Sequence, residues 1–342
     1  MRRAFAAAAV AIGATIASAL VAVPATAQVI VVMPGESIHT AVKAAQPGDT
    51  IQLAAGVYED VVVVRTNDIT IQGVGSGADG TILRPPADLP GRCFRGVGGI
   101  CVFGDFRGDG TPVEGVTVTG IRAEGFTEAG FIAILSRGTT FEANAGVDGR
   151  GYGLAAFESP GVTMRRNVAS GNGFAGLYVG DTRRANATIE SNEAFDNVFG
   201  TFLRDASGGD VTGNSMHDNC IGVLVLETRS PVRAGRFAMS DNTIRHNNEF
   251  CRGGGGQPST SGTGIAIAGG RGNTIEGNLI ARNRPSRDVP FHGGVVLIEL
   301  DGAEPVDNTV VGNTLTRNRP NVFTDGSGSG NVIEGNACTP DC

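Results

Sequence analysis

Five acidic residues, Glu158, Asp181, Asp205, Glu227 and Glu299, each stand five positions after a glycine that opens an apolar run: Gly153, Gly176, Gly200, Gly222 and Gly294. Four arginines, Arg137, Arg183, Arg229 and Arg271, stand two positions further along the same frame. If the runs are successive parallel strands, equal offsets stack in one column at roughly 4.8 Å, and carboxylates that close repel unless a guanidinium or a cation lies between them. Oxygen donors at this spacing suit Ca2+ better than a transition metal. His292, in Asp288-Val-Pro-Phe-His292-Gly-Gly, has by position the best claim to general acid or base work. A plainer reading competes: acids and arginines at a strand end form a solvated ion ladder and bond backbone in the bends.

The frame itself comes from a phrase that recurs along the chain: a small polar residue, four residues, a second Asn or Gly, then Gly and an apolar run. It begins at Gly120, Asn144, Asn167, Asn192, Asn214, Asn242, Asn278, Asn313 and Asn336, at intervals of 24, 23, 25, 22, 28, 36, 35 and 23. A period in the low twenties, lengthened here and there by an insertion, marks a solenoid built one coil at a time. Each coil divides into three short strands; in one of them these are Gly176-Leu-Tyr-Val179, Ala187-Thr-Ile-Glu-Ser191 and Asn192-Glu-Ala-Phe-Asp196. Runs this short, with Gly and Asn this frequent, exclude ordinary helices and predict an all-β, single-stranded parallel solenoid of about ten coils. Asn inside a bend can bond backbone and the Asn of the next coil, so no buried amide is left unpaired. The glycan pattern Asn186-Ala-Thr188 is too common by chance to compete with that role.

Stacked strands leave two open edges. From Ser37 to Gln46, Ile38, Ala41, Val42 and Ala45 fall at helical spacing, which predicts a short amphipathic lid at residues 34–60, with the regular coils at 116–336 and a tail at 337–342. Sixteen residues between Asn247 and Gly264, ten between Asn283 and Gly294, and a third insertion at Thr228 to Phe237 cluster about the glycine-led strands and build the walls of a groove. Ile132, Tyr178, Phe202, Leu224, Val296 and Phe323, with Ile134, Phe157, Leu226 and Ile298, point outward if the odd positions point in. Either parity leaves this strand face apolar, so the insertions, a partner or a second copy must cover it.

The chain opens with Arg2-Arg3, an apolar stretch from Ala4 to Val23, and Ala25-Thr26-Ala27, which predicts an export signal over residues 1–27 cut after Ala27 by the general secretory route. Export makes the six cysteines disulfides; their positions favour Cys93–Cys101, Cys220–Cys251 and Cys338–Cys342, and the absence of Cys-x-x-Cys speaks against a cysteine metal site. A net charge of -7 excludes nucleic acid as partner, and no other segment is apolar enough to hold the mature chain in a membrane.

The segment Pro34-Gly-Glu-Ser-Ile-His-Thr-Ala-Val-Lys-Ala-Ala-Gln-Pro-Gly-Asp-Thr-Ile-Gln-Leu53, continued by Gly56-Val-Tyr-Glu59, together with the Asn-bearing coils, resembles right-handed parallel β-helix proteins of the pectate-lyase-like superfamily. That resemblance implies an exported protein that engages extracellular polysaccharide, acidic or neutral. Its most concrete activity would be cleavage of uronic acid polymers by β-elimination: Ca2+ on Asp181, Asp205 and Glu227, Arg229 or Arg271 as base, His292 assisting, and Glu299 beside them. No cofactor is required beyond that Ca2+. The Asp-Pro-His of mannuronan epimerases is absent from the strand, and hydrolase patterns of paired Asp are not recognisable, so epimerase and glycoside hydrolase rank lower. The alternative is a noncatalytic scaffold that binds through the apolar strand face.

Overall fold

The computed structural model describes residues 26–88, 93, 96–106, 108–228, 230–254 and 258–342. The coil from Tyr152 shows the plan: Tyr152–Phe157 lies in a first strand stack, Thr163–Arg165 in a second and Val168–Ser170 in a third. Each strand pairs in parallel with its counterpart one coil on, Leu154 with Leu177, Met164 with Ile189 and Ala169 with Ala194. The third stack runs to 11 strands. The molecule is a single-stranded parallel β-helix, right-handed as expected. Of residues 1–27, the predicted export signal, all but the last two lie outside the described residues.

Asparagine ladders hold the bends: two long ones, and a shorter third through Asn273, Asn308 and Asn331. In the bend between the second and third stacks, Asn192 donates from Nδ2 to the carbonyl of Met164 at 2.8 Å and to Oδ1 of Asn214 at 2.9 Å. Its own Oδ1 accepts from the backbone N–H of Asn167 at 2.9 Å and from Nδ2 of Asn167 at 3.0 Å. The same pattern continues from Asn144 to Asn336. The second Asn of each phrase makes a parallel ladder in the next bend, from Asn172 to Asn321. Each bend needs a left-handed residue just before its Asn, and Arg166 (φ 55), Ser191 (φ 55) and Asp241 (φ 56) supply it in three coils of the first ladder. The glycine that opens each first-stack strand has a different cause: a Cβ on Gly176 would come within 2.8 Å of the carbonyl oxygen of Gly200 in the coil above.

Stacking begins earlier than the Asn phrase reports. Val29–Val32, Thr50–Leu53 and Thr70–Gln72 already form successive rungs of the second stack, below Thr117–Thr119. These coils lack the repeated Asn ladder; their apolar packing is joined by Asp49, which accepts from the Gln28 and Gln46 N–H groups at 2.8 Å, and by the Tyr58 hydroxyl, which donates to the Val32 carbonyl at 2.9 Å. The lid is a helix at Ile38–Ala44, capped by the Ser37 hydroxyl, which accepts from the Thr40 N–H; Ile38 and Val42 are buried beneath it. At the other end Ala337–Thr339 pairs with Thr314–Thr316, so the tail begins as a last strand. Cys93–Cys101, Cys220–Cys251 and Cys338–Cys342 form as expected. Among the described residues no helix is long and apolar enough to cross a membrane.

Removing a rung tests the ladder. Asn192→Ala leaves the buried N–H of Asn167 unpaired and removes one of the donors to the Met164 carbonyl, which keeps its strand partner, so a loss of about 2 kcal/mol is expected in urea unfolding. Asn336→Ala, at the end of the ladder and partly exposed, should cost well under half as much.

Candidate ligand-binding trough

Strand parity sorts the first stack cleanly. Leu177 and Val179 enter the main core, while Ile132, Tyr178, Phe202, Leu224, Leu226 and Val296 join a separate apolar cluster on the outer face. Three linked hollows run along that face, with volumes of about 550, 430 and 540 Å³. Arg204 lines the first and the second; Phe291 and Leu300 line the second and the third.

The insertions wall the trough as expected. The first, pinned by Cys220–Cys251 and by a bridge between Cys251 and Thr260, flanks the second hollow. The second delivers Phe291, only 8% exposed, onto the outer cluster. Towards the first hollow the floor is aromatic. Tyr152 meets Phe174 edge to face at 5.3 Å between centroids, Phe174 meets Phe199 at 5.4 Å, and Tyr178 meets Phe202 at 5.4 Å. Phe174 remains 37% exposed, with a ring available to a ligand. Tyr178 is fully buried in this group, and its hydroxyl has no hydrogen-bond partner. Burial drives its phenol well above the ordinary range, helped by the charge of Asp181, so it stays neutral.

The acid column is in register, Glu158 beside Asp181, Asp181 beside Asp205, and Asp205 beside Glu227. Its acids serve different ends. Glu158 (φ 48), Asp181 (φ 55) and Asp205 (φ 48) all take the left-handed conformation of the corner, a place that suits Asp. Glu158 and Asp181 line the first hollow. Asp205 is buried and accepts from the N–H and the hydroxyl of Thr228, at 2.8 and 2.7 Å. Glu227 is buried too: its carboxylate holds Arg233, takes Arg271 at 3.4 Å and accepts from the Ala234 N–H at 3.1 Å. Both carboxylates are therefore occupied by protein donors. Among the described residues no group of three or more His, Cys, Asp or Glu side chains could hold a metal ion, so the expected Ca2+ set of Asp181, Asp205 and Glu227 is not assembled.

The remaining candidates disperse. Arg229 lies outside the described residues. Arg271 is tied to Glu227. Glu299 is exposed and lines the third hollow, where its Oε1 accepts from the Gly302 N–H. Neighbouring Asp325 titrates below the usual carboxylate range: burial would raise it, but donors on Ser327 and the Glu299 N–H outweigh that. His292 faces away, Nδ1 against the Arg319 carbonyl at 2.6 Å. Arg204 and Glu128, which sequence reasoning passed over, do line the first hollow. The charge of Arg204, four after Gly200 in an apolar run, was a usable signal for it.

A family profile described as periplasmic copper-binding protein (NosD) matches residues 99–335. The chain belongs to this family. No curated protein sequence matches the chain. Among solved structures, this NosD-family chain is similar to the A-modules of two mannuronan C-5 epimerases of Azotobacter vinelandii. For AlgE4 the identity is 15% and the TM-score 0.58, over 85% of this chain and 87% of that one. For AlgE6 they are 18% and 0.59, over 89% and 94%. The periplasmic alginate epimerase AlgG matches at 14% identity and TM-score 0.51, over 90% and 76%. Identities this low carry the fold alone.

The family's description names copper, and the donors of this NosD-family chain do not fit it. All six cysteines are in disulfides. Met164, Met216 and Met239 are sealed in the core. His217 sits on the third stack between Asp218 and Glu193, His39 accepts from the Val63 N–H, and His292 is turned to a carbonyl. His246 stands among Arg282, Arg284 and Arg317, and no group of three or more His, Cys, Asp or Glu side chains that could hold a metal ion forms among the described residues.

The role of Glu227 is open to a direct check. Glu227→Ala strands Arg233 and Arg271 and should lower stability by about 2 kcal/mol, a figure held down because both arginines can turn to water. The melting temperatures of wild type and variant should each be the same in Ca2+ and in chelator.

Proposed function

We propose that the protein is an exported polysaccharide-binding β-helix whose sugar chain lies along the trough over the first stack. The observation that carries this reading is the aromatic floor of the trough, with Phe174 open and Tyr152, Phe157 and Phe199 half-buried around it, beside carboxylates and a guanidinium in the first hollow. Rings offer sugar faces a stacking surface, and Glu158, Asp181 and Arg204 offer hydroxyls both acceptors and a donor. The three disulfides require an oxidising compartment, which agrees with the predicted export signal and with a family described as periplasmic. The solved relatives named as epimerases of mannuronan and alginate are consistent with a saccharide ligand.

Binding is favoured over cleavage. A β-eliminating enzyme needs a base aimed at its substrate; Arg271 is committed to Glu227 and His292 to a main-chain carbonyl outside the hollows, while Arg229 lies outside the described residues. The test screens purified protein, with and without Ca2+, against pectate, alginate and neutral polysaccharides, reading affinity and ultraviolet absorbance together. Phe174→Ala should weaken binding of the preferred polymer about tenfold, the scale of one stacking contact. Absorbance from an unsaturated uronide would replace the binding reading with a lyase; no affinity for any polymer would remove both.

A further inference from the structure

The bend from the third stack to the first passes in every regular coil through one left-handed residue. In seven successive coils it is Asp148, Gly171, Asp196, Asp218, His246, Arg282 and Arg317, with φ between 54 and 67. Gly and Asp are the residues that such a corner favours, Gly for its freedom and Asp for its local hydrogen bonding. Arginine has neither advantage, yet it occupies the last two corners of the run, so the column changes sign along the solenoid. His246, Asn248, Arg282, Arg284 and Arg317 line a hollow of about 490 Å³ there, apart from the trough. The Asn248 Oδ1 accepts from the Arg284 N–H at 2.6 Å, which leaves its amide NH2 as a donor. Arg284 Nε donates to the Arg317 carbonyl at 2.8 Å, which fixes the guanidinium and leaves its terminal nitrogens to give. Among the described residues, no carboxylate forms an ion pair with Arg282, Arg284 or Arg317.

We propose that this corner is an oxyanion site, which takes a carboxylate, sulfate or phosphate group carried by a free anion or by an acidic saccharide. Three guanidiniums and an amide converge on one hollow, on a chain whose net charge is -7, and the fork geometry of guanidinium matches oxyanions in pairs of hydrogen bonds. The inference goes beyond the trough and stands without it.

Calorimetric titration of the full chain at low salt, with inorganic sulfate and separately with a short galacturonate oligomer, tests the site. Binding of at least one probe is expected, weakening as NaCl is added. The double variant Arg282→Asn, Arg317→Asn removes the charge but keeps a residue suited to the left-handed corner, and should bind at least tenfold more weakly at an unchanged melting temperature. Should it fold poorly, Arg284→Gln, outside the corner, should still weaken binding about threefold. Phe174→Ala, in the trough, should leave sulfate binding unchanged. Sulfate bound as tightly as galacturonate identifies a free oxyanion as the ligand; tighter galacturonate that loses its advantage in the arginine variants and keeps it in Phe174→Ala identifies an acidic saccharide at this corner. A wild type that binds neither probe, or charge-removing variants that bind as well as wild type, would overturn the proposal.

Discussion

Every regular coil of this molecule must satisfy its own bends, because a short turn packed between neighbouring coils holds its polar backbone away from water. Asparagine meets that demand with one side chain. Its amide donates across the bend and to the next amide, while its oxygen takes the N–H that the bend would otherwise orphan. Such ladders fix the vertical register of the regular coils, and register then places the other residues, from the glycines that let coils approach to the aromatic rings that floor the trough. Without the ladder, a coil could slip by one residue and turn its inner face outward.

The fold was legible for that reason. A residue needed at the same point of every coil prints itself on the sequence at the coil's own period, and Asn144 through Asn336 do so. The N-terminal coils were not legible, since Val29–Val32, Thr50–Leu53 and Thr70–Gln72 are held by apolar packing and by single polar contacts of Asp49 and Tyr58 that do not recur from coil to coil. Side-chain parity was not readable, because odd and even offsets are equally apolar; the structure turns Tyr178 and Phe202 outward with Leu177 and Val179 behind them.

The candidate site was legible only as a column. Offsets from each glycine put Glu158, Asp181, Asp205 and Glu227 in line, as the pairing has them. What an offset cannot say is whom each carboxylate meets. Asp205 is claimed by Thr228 and Glu227 by Arg233, both in or beside an insertion that obeys no period. Phe174 and Phe199 were missed because they precede the strand glycines rather than follow them, at positions where the phrase is loosest. Chemistry that depends on irregular segments is written in distances, and a one-dimensional repeat does not carry those.

The ladder has a direction. In each rung the donors of one asparagine reach for the oxygen of the asparagine in the following coil, from Asn144 toward Asn167 and on to Asn336. Each coil therefore completes its predecessor's bends and depends on its successor for its own, so a chain cut between two coils would end on bend N–H groups without partners. At the C-terminal end Asn321 donates its amide to the carbonyl of Asp341, in the loop closed by Cys338–Cys342.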